Sequence, residues 1–125
     1  MPDTRTVGFG KEEDACAYLK KCGYKISERN FRTPFGEIDI IARHKKDIVF
    51  IEVKYRKSSF SGTPQEAVTK SKQQKIIKSA LVYMKQKKTG FAGGGNMRFD
   101  IVAVSENSCE IIESAFTAEA GNYYF

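Results

Sequence analysis

The sequence has no tryptophan, one histidine, three prolines and three cysteines. An odd number of cysteines without Cys-x-x-Cys spacing argues against a disulfide framework and against a zinc knuckle. We expect Cys16 and Cys22 to serve as small apolar residues in or near one helix, in a reducing compartment. His44 lies between Arg43 and Lys45 in a polar turn, so we expect an exposed loop residue and not a metal ligand.

Long hydrophobic runs are also missing. No stretch approaches the roughly 18 apolar residues of a membrane helix, and residues 1–6 lack the apolar stretch of a signal peptide. We therefore expect a cytoplasmic protein without a membrane partner. A hydrophobic fraction of 41% and a charged fraction of 29% are typical of a chain that buries a core. We expect one domain over residues 1–125, with residues 1–8 and 117–125 loosely ordered.

Negative charge is scarce in the middle of the chain. Residues 43–88 carry thirteen basic and three acidic side chains. Residues 1–42 carry seven of each, and residues 89–125 carry one basic and five acidic side chains. The net charge of +6 is therefore concentrated in the central third. Such a cationic surface attracts polyanions through the release of counterions. The pattern fits nucleic-acid binding, and it fits a solvated lysine-rich helix equally well.

Hydrophobic periodicity and turn residues predict two helices and five strands. The predicted helices cover residues 9–22, with Gly23 as the stop, and residues 64–87, with Pro64 near the first turn. The predicted strands cover residues 24–31, 37–42, 48–54, 99–104 and 110–112. The resulting order, α-β-β-β-α-β-β, predicts an α/β fold in which helices flank a central mixed sheet.

The two strongest strand signals flank a short polar segment, which predicts a β-hairpin. If residues 45–46 form its turn, the numbers of facing residues sum to 91, so Asp39 faces Glu52 and Glu37 faces Lys54. Facing residues of an antiparallel pair project to the same side of the sheet. Three carboxylates and one ammonium group are then expected to converge on one side.

The same register divides the apolar side chains of the hairpin between the two sides of the sheet. Ile41 and Phe50 share the charged side, farther along the hairpin, where we expect them to carry a covering helix. The opposite side is expected to hold Ile38, Ile40, Val49, Ile51 and Val53. A slip of one residue would scatter the charges over both sides, so the prediction is specific to this register.

The facing pair of Asp39 and Glu52 is costly without a counter-ion, because carboxylates about 5 Å apart repel each other in a partly buried site. A divalent cation resolves the conflict, since Mg²⁺ prefers oxygen ligands and keeps several waters. The backbone carbonyl of Val53 can add an oxygen, and Lys54 can hold a phosphate oxygen. Such a site can hydrolyse phosphodiesters. The alternative is a surface charge ladder without chemistry, in which Glu37 pairs with Lys54.

Two motifs, GEIDIIA at residues 36–42 and VFIEVKYR at residues 49–56, closely resemble the bacterial YraN-like family. That family is placed in the PD-(D/E)XK nuclease superfamily and is similar to archaeal Holliday-junction resolvases. The resemblance extends over nearly the whole chain, from Glu12 through EAVT at residues 66–69 to RFD at residues 98–100. It implies a restriction-endonuclease-like fold.

The resemblance also implies roles for individual residues. Asp39 matches the metal-binding aspartate, Glu52 the acidic residue of the (D/E)XK element, and Lys54 its lysine. Glu12 resembles the helix glutamate that junction resolvases use near the metal, although the dipole at a helix start explains an acid there equally well. The sequence departs from the pattern at Lys11, where the family often has glycine, and in lacking proline before the aspartate.

These roles imply an endonuclease that needs Mg²⁺ or Mn²⁺ and acts on DNA rather than RNA, with branched or damaged structures as candidate substrates. A ribonuclease would differ only in its substrate. Phosphate contacts are expected from basic residues around the site, namely Arg56, Lys57, Lys70, Lys72, Lys75 and Lys78. The alternative is a non-catalytic module that binds nucleic acid or a partner protein, and homodimerisation is a further option.

Overall fold

The computed structural model describes residues 4–55, 68–87, 96–106 and 108–118, with side chains from residue 12 onward. These residues form two helices and five strands in the order α-β-β-β-α-β-β, which confirms the predicted fold class. The elements are α1 (Thr4–Lys21), β1 (Lys25–Thr33), β2 (Gly36–His44), β3 (Asp47–Tyr55), α2 (Lys70–Gln86), β4 (Met97–Val104) and β5 (Cys109–Phe116). Neither helix in these ranges is apolar over a length that would cross a membrane.

The strands of the described ranges form one mixed sheet in the order β1-β2-β3-β4-β5. β1, β2 and β3 are antiparallel neighbours, β4 runs parallel to β3, and β5 runs antiparallel to β4. Two parallel strands need a crossover connection, because a tight turn joins only antiparallel strands. α2 lies in this connection and packs mainly across β2.

The β2–β3 hairpin has the predicted register. It turns at residues 45–46, and the first of these has a φ of 57°, the left-handed conformation of two-residue hairpin turns. The last pair of the ladder is Ile40 with Ile51, whose numbers sum to the predicted 91. One further step in this register would set Asp39 opposite Glu52, although the ladder itself ends at the isoleucine pair.

α1 covers one side of the sheet, called the α1 side below. Its buried residues Ala15, Cys16 and Leu19 pack on a cluster that includes Ile40, Ala42, Val49, Ile51 and Val102. Cys16 is buried as predicted, whereas Cys22, just beyond the helix, is exposed. This side of the sheet is therefore closed by apolar packing.

α1 ends where the sequence predicts and begins earlier than expected. The Gly23 amide donates to the Lys20 carbonyl and the Tyr24 amide to the Leu19 carbonyl, a Schellman cap in which the glycine takes a φ of 92°. α1 begins at Thr4, earlier than the predicted start at residue 9. Residues 1–3 and 119–125, from the two expected loose ends, lie outside the described part of the chain.

α2 covers the opposite side, called the α2 side. Its buried residues include Ile76, Ile77, Ala80, Tyr83 and Met84, which pack on the other apolar cluster of the sheet. The prediction that helix already covers Thr69 is wrong, because Thr69 is extended and its hydroxyl caps the helix by accepting from the Lys72 amide at 3.1 Å. Residues 64–67 lie outside the described part.

The alternation of β2 breaks at Asp39. Ile38 belongs to the α2-side cluster and Ile40 to the α1-side cluster, although residues two apart on a regular strand share a side. The prediction that Ile38 lies on the α1 side is therefore wrong. Asn30, on the neighbouring strand between the partners of these two isoleucines, has a φ of 54°. Both strands are distorted at this level of the sheet.

A buried polar network lies under the far end of the hairpin. Arg98 donates from Nε to Asp100 at 3.0 Å and from Nη2 to Asp100, Tyr24 and His44 at 2.8, 3.0 and 2.8 Å. Its Nη1 donates to Asp47 at 3.0 Å. Because a guanidinium group only donates, Nδ1 of the imidazole must accept. The network ties β4 to the β2–β3 turn and to the end of α1.

The expectation that His44 is an exposed loop residue is wrong. His44 is 8% exposed, and its ring stacks on Tyr24 with 3.9 Å between ring centroids. Asp100 is fully buried and accepts further hydrogen bonds from the Tyr24 hydroxyl at 2.7 Å and from the Ser114 amide at 3.0 Å. Burial raises the pKa of the Tyr24 hydroxyl well above its ordinary value, so it remains a donor.

Candidate active site

Asp39 lies at the distorted level of β2 and points toward β3. Its Oδ2 accepts a hydrogen bond from the Val53 amide at 2.9 Å. The backbone ladder between β2 and β3 ends at the pair of Ile40 with Ile51. Beyond this pair, the Asp39 carboxylate accepts the hydrogen bond from β3. This bond holds the side chain beside the residue that precedes Val53, which is Glu52.

Glu52 is buried on β3 and projects toward the α2 side, in line with Ile48 and Phe50 of the α2-side cluster. Its side chain is 7% exposed, and its Oε2 lies 3.8 Å from the Lys54 ammonium and 3.7 Å from the Lys72 ammonium. A side-chain hydrogen bond joins Glu52 to Asp39. The structure therefore brings Asp39, Glu52 and Lys54 together, as the register argument predicted.

The two carboxyl groups perturb each other. The pKa of Glu52 is raised to about 7 because burial and the charge of Asp39 together outweigh the lowering effect of the Lys72 and Lys54 ammonium groups. Burial also raises the pKa of Asp39, against the lowering effect of the Val53 amide. Both carboxyl groups therefore ionise less readily than free carboxylic acids, and a bound cation would offset the cost of their charge.

The donor set fits one divalent cation with an incomplete protein shell. Asp39 and Glu52 offer hard carboxylate oxygens, and the partly exposed lysines beside them leave the site open to water. Throughout the described residues, no three side chains of His, Cys, Asp or Glu are grouped closely enough to hold an ion together. Waters or substrate oxygens would have to supply the remaining ligands, as Mg²⁺ sites commonly allow.

Glu12 does not join this pair in the described structure. Its Oε1 accepts from Arg29 at 2.9 and 3.3 Å and from the Asn30 amide group at 3.3 Å. Arg29 also donates to Glu13 at 2.7 Å. The glutamate is therefore held at the junction of α1 and β1, next to the residue whose left-handed backbone marks the distorted level of the sheet.

Glu37, the third carboxylate of the predicted convergence, pairs with another residue, although its charge still raises the pKa of Asp39. Glu37 faces Arg32 across β1 and β2 and lies 3.6 Å from the Arg32 guanidinium group. Its expected partner, Lys54, instead approaches Glu52. The distortion at Asp39 explains the difference, because it ends the regular alternation that the prediction assumed for the whole strand.

Lysines of α2 continue the site toward the β1–β2 turn. Lys72 approaches Glu52 at 3.7 Å, the side chain of Lys75 lies near Gly36, and the Lys78 ammonium lies 5.6 Å from the centre of the Phe35 ring. Because consecutive lysines are three residues apart, each is a neighbour of the next on the helix surface. Lys70 is exposed at the start of the helix, whereas Arg56 and Lys57 lie outside the described part.

Sequence reasoning placed Lys72 among the phosphate contacts and missed its approach to Glu52. A signal was present, because Lys72 lies in the first turn of α2, where the helix dipole disfavours a cation. That turn has no acidic residue to offset it. Lys72 has its compensating partner outside the helix, in Glu52.

Comparison with known sequences gives consistent matches over most of the chain. The sequence model described as "Uncharacterised protein family UPF0102" matches residues 11–104. A UPF0102 protein of Desulfosudis oleivorans is 50% identical over 114 residues, which cover 88% of this chain and 90% of the relative. A UPF0102 protein of Thermodesulfovibrio yellowstonii is 47% identical over 112 residues, covering 88% and 96%, and one of Clostridium botulinum is 45% identical over 118 residues, covering 90% and 94%. The chain therefore belongs to the UPF0102 (YraN) family, within the PD-(D/E)XK nuclease-like superfamily.

Proposed function

We propose that this protein is an endonuclease that depends on Mg²⁺ or Mn²⁺ and hydrolyses phosphodiester bonds in DNA. The observation that carries the proposal is the contact between the partly buried Asp39 and the buried Glu52, beside two lysine ammonium groups. A surface charge ladder would leave its carboxylates exposed and separately paired. Two carboxyl groups in contact at a largely desolvated site are costly to a fold unless a cation or a proton compensates their charge.

Each residue of the site would have a separate role in the reaction. Asp39 and Glu52 would hold the ion, with the Val53 carbonyl as an additional oxygen ligand. When bound, the ion supplies positive charge to the phosphate and acidifies a water. Lys54 supplies further positive charge where charge develops in the transition state. The Val53 amide keeps the Asp39 carboxylate oriented toward β3, so the ligands are preorganised.

The α2 lysines would hold the nucleic-acid backbone beside the site. Lys75 and Lys78 follow Lys72 toward the β1–β2 turn and offer ammonium groups at a spacing suited to successive phosphates. Such contacts position a substrate without reading its sequence. We therefore expect binding that is strongly salt-dependent and weakly sequence-specific.

The test is a cleavage assay with Mg²⁺ or Mn²⁺ on duplex, single-stranded, flap and junction DNA and on RNA. We expect cleavage of at least one DNA form, and we expect Asp39→Asn and Lys54→Met each to lower its rate by about 10²-fold or more. Glu37→Gln, a charge-matched control outside the pair, should retain activity. Cleavage that survives both site substitutions would come from a contaminant and would end the proposal.

A non-catalytic nucleic-acid-binding module is the second candidate, and one observation favours it. Glu12 is held by Arg29 and Asn30, so only two acids meet at the site among the described residues. The same assay separates the candidates. Binding to nucleic acid without cleavage on any substrate, with either ion, would establish the binding module instead of the enzyme.

A further inference from the structure

We propose that Lys72 is a positioning residue that neutralises Glu52 while the ion is absent and moves to a substrate phosphate when the ion binds. The inference rests on the proposed function and deepens it, because it assigns to one side chain the coupling between ion binding and nucleic-acid binding. Lys72 forms the ion pair that connects α2 to Glu52.

The two lysines at Glu52 differ in how they are held. Lys54 lies two residues after Glu52 on the same strand, its side chain is 33% exposed, and its distance to Oε2 is 3.8 Å. Lys72 comes from a different element, its side chain is 47% exposed, and its distance is 3.7 Å. Both contacts are longer than a short charge-assisted hydrogen bond. Lys72 is thus the more solvent-accessible of two loosely held cations.

The backbone of Lys72 is fixed even though its ammonium group is not. The Thr69 hydroxyl accepts from the Lys72 amide at 3.1 Å and anchors the first turn of α2. The flexible side chain can therefore pivot from a fixed point, between Glu52 on one side and solvent on the other. Substrate phosphates would approach from the solvent side, where Lys75 and Lys78 continue the cationic row.

A cation that neutralises Glu52 competes with any ion that needs the same oxygen. Ion binding would expel the Lys72 ammonium from Glu52, and the freed ammonium would become available to a phosphate. By thermodynamic linkage, a bound phosphate backbone would then favour ion binding to the same extent. Lys75, one turn farther along the helix, has the same charge and exposure class and lacks the contact with Glu52.

Titration of the protein with Mn²⁺ by calorimetry, at one pH and without nucleic acid, tests whether Lys72 competes with the ion for Glu52. We expect Lys72→Met to bind Mn²⁺ more tightly than wild type, by about three- to tenfold, because a competing cation is removed. Lys75→Met should match wild type, and Lys72→Arg should restore the competition. Glu52→Gln should abolish specific Mn²⁺ binding.

Binding of a labelled DNA duplex, measured by fluorescence anisotropy in EDTA and in Ca²⁺, tests whether an ion at the site frees Lys72 to contact a phosphate. Lys72→Met should cost more affinity in Ca²⁺ than in EDTA, by about threefold, because the lysine is occupied by Glu52 when no ion is present. Lys75→Met should cost the same affinity in both. This difference cannot arise from a lysine that acts as a general phosphate contact.

The outcomes separate the inference from the proposed function. If wild type binds Mn²⁺, Glu52→Gln does not, and Lys72→Met matches Lys75→Met in both experiments, the role of Lys72 is overturned and the metal site stands. If wild type and Glu52→Gln respond identically to Mn²⁺, the metal site itself fails and the inference fails with it. Matching melting temperatures of the variants would exclude misfolding as a cause.

Discussion

At the scale of single residues, the chemistry depends on how β2 meets β3 at one level. Asp39 accepts from the Val53 amide, and this bond brings the carboxyl group against Glu52. The burial that makes the pair useful to a cation also makes it unfavourable when both groups are charged. The same pair should therefore leave a signature in the stability of the protein without any ion.

Stability should fall as the pH rises between about 4.5 and 7. Because the pKa of Glu52 is raised from 4.5 to about 7 in the folded protein, the folded state binds more protons than the unfolded state in this range, and the free energy of unfolding decreases with pH. The loss is of the order of 3 kcal/mol for a shift of this size. Urea unfolding in EDTA at several pH values measures it.

Glu52→Gln should remove most of this pH dependence and be more stable than wild type at pH 8. Glu37→Gln alters a half-exposed carboxyl group paired with Arg32 and should leave the slope in place. A wild-type curve that is flat from pH 4.5 to 7 would show that Glu52 ionises without cost and would remove the electrostatic argument for the site.

At the scale of elements, the sequence predicted correctly the features of the hairpin that depend on the regular alternation of side chains along a strand. The turn at residues 45–46 and the Val/Ile-rich strands beside it set the register, and the register alone placed Asp39 near Glu52. The positions of Ile38 and Glu37 could not be obtained in this way, because they depend on a local distortion. That distortion needs Asn30 in the left-handed region, and an asparagine in a strand is only a weak signal for it.

The distortion of β1 gives a prediction for Asn30. Asn30→Gly should change the free energy of unfolding little beyond the loss of one exposed hydrogen bond to Glu12, because glycine adopts a φ of 54° without strain. Asn30→Ala loses the same bond and adds backbone strain, so it should be less stable than the glycine variant by about 1 kcal/mol. Urea unfolding of the two variants compares them directly.

The glycine variant is the matched control, since both substitutions remove the asparagine side chain. An alanine variant as stable as the glycine variant would mean that the backbone at residue 30 relaxes without cost. The alternation of β2 opposite it would then need another cause.

At the scale of the whole molecule, a second polar cluster fixes the sheet from the side opposite to Glu52, although Asp100 pairs with Ile51, the neighbour of Glu52 on β3. The cluster consists of five residues from three strands and the segment after α1, and every charged group in it is paired: Arg98, Asp100, Tyr24, His44 and Asp47. Sequence reasoning could not assemble this network, because its members are up to 76 residues apart and carry no periodic signal. It gives Arg98 and Asp100 a structural role in the fold.

Truncating this network should destabilise the protein severely. Asp100→Ala leaves Arg98 buried without its main partner and leaves the Ser114 amide unsatisfied, so we expect a loss of about 3–5 kcal/mol in the free energy of unfolding. Glu113→Gln alters a half-exposed carboxylate 3.7 Å from the same guanidinium group and should cost less than about 1 kcal/mol. Thermal and urea unfolding would detect the contrast, and similar losses in both variants would contradict it.

The distribution of charge over the whole molecule decides how nucleic acid would approach. Within the described part, the lysine row of α2 lies on the α2 side, whereas Lys20 and Lys21 end the helix on the opposite side of the sheet.

Lys75→Ala and Lys78→Ala should each lower the slope of log binding constant against log salt by about 1, because one phosphate contact is lost. Lys21→Ala, which changes the net charge equally, should leave the slope unchanged. Equal slopes for all three variants would mean that binding follows net charge alone, and the α2 row would lose its assignment as the surface that holds the substrate.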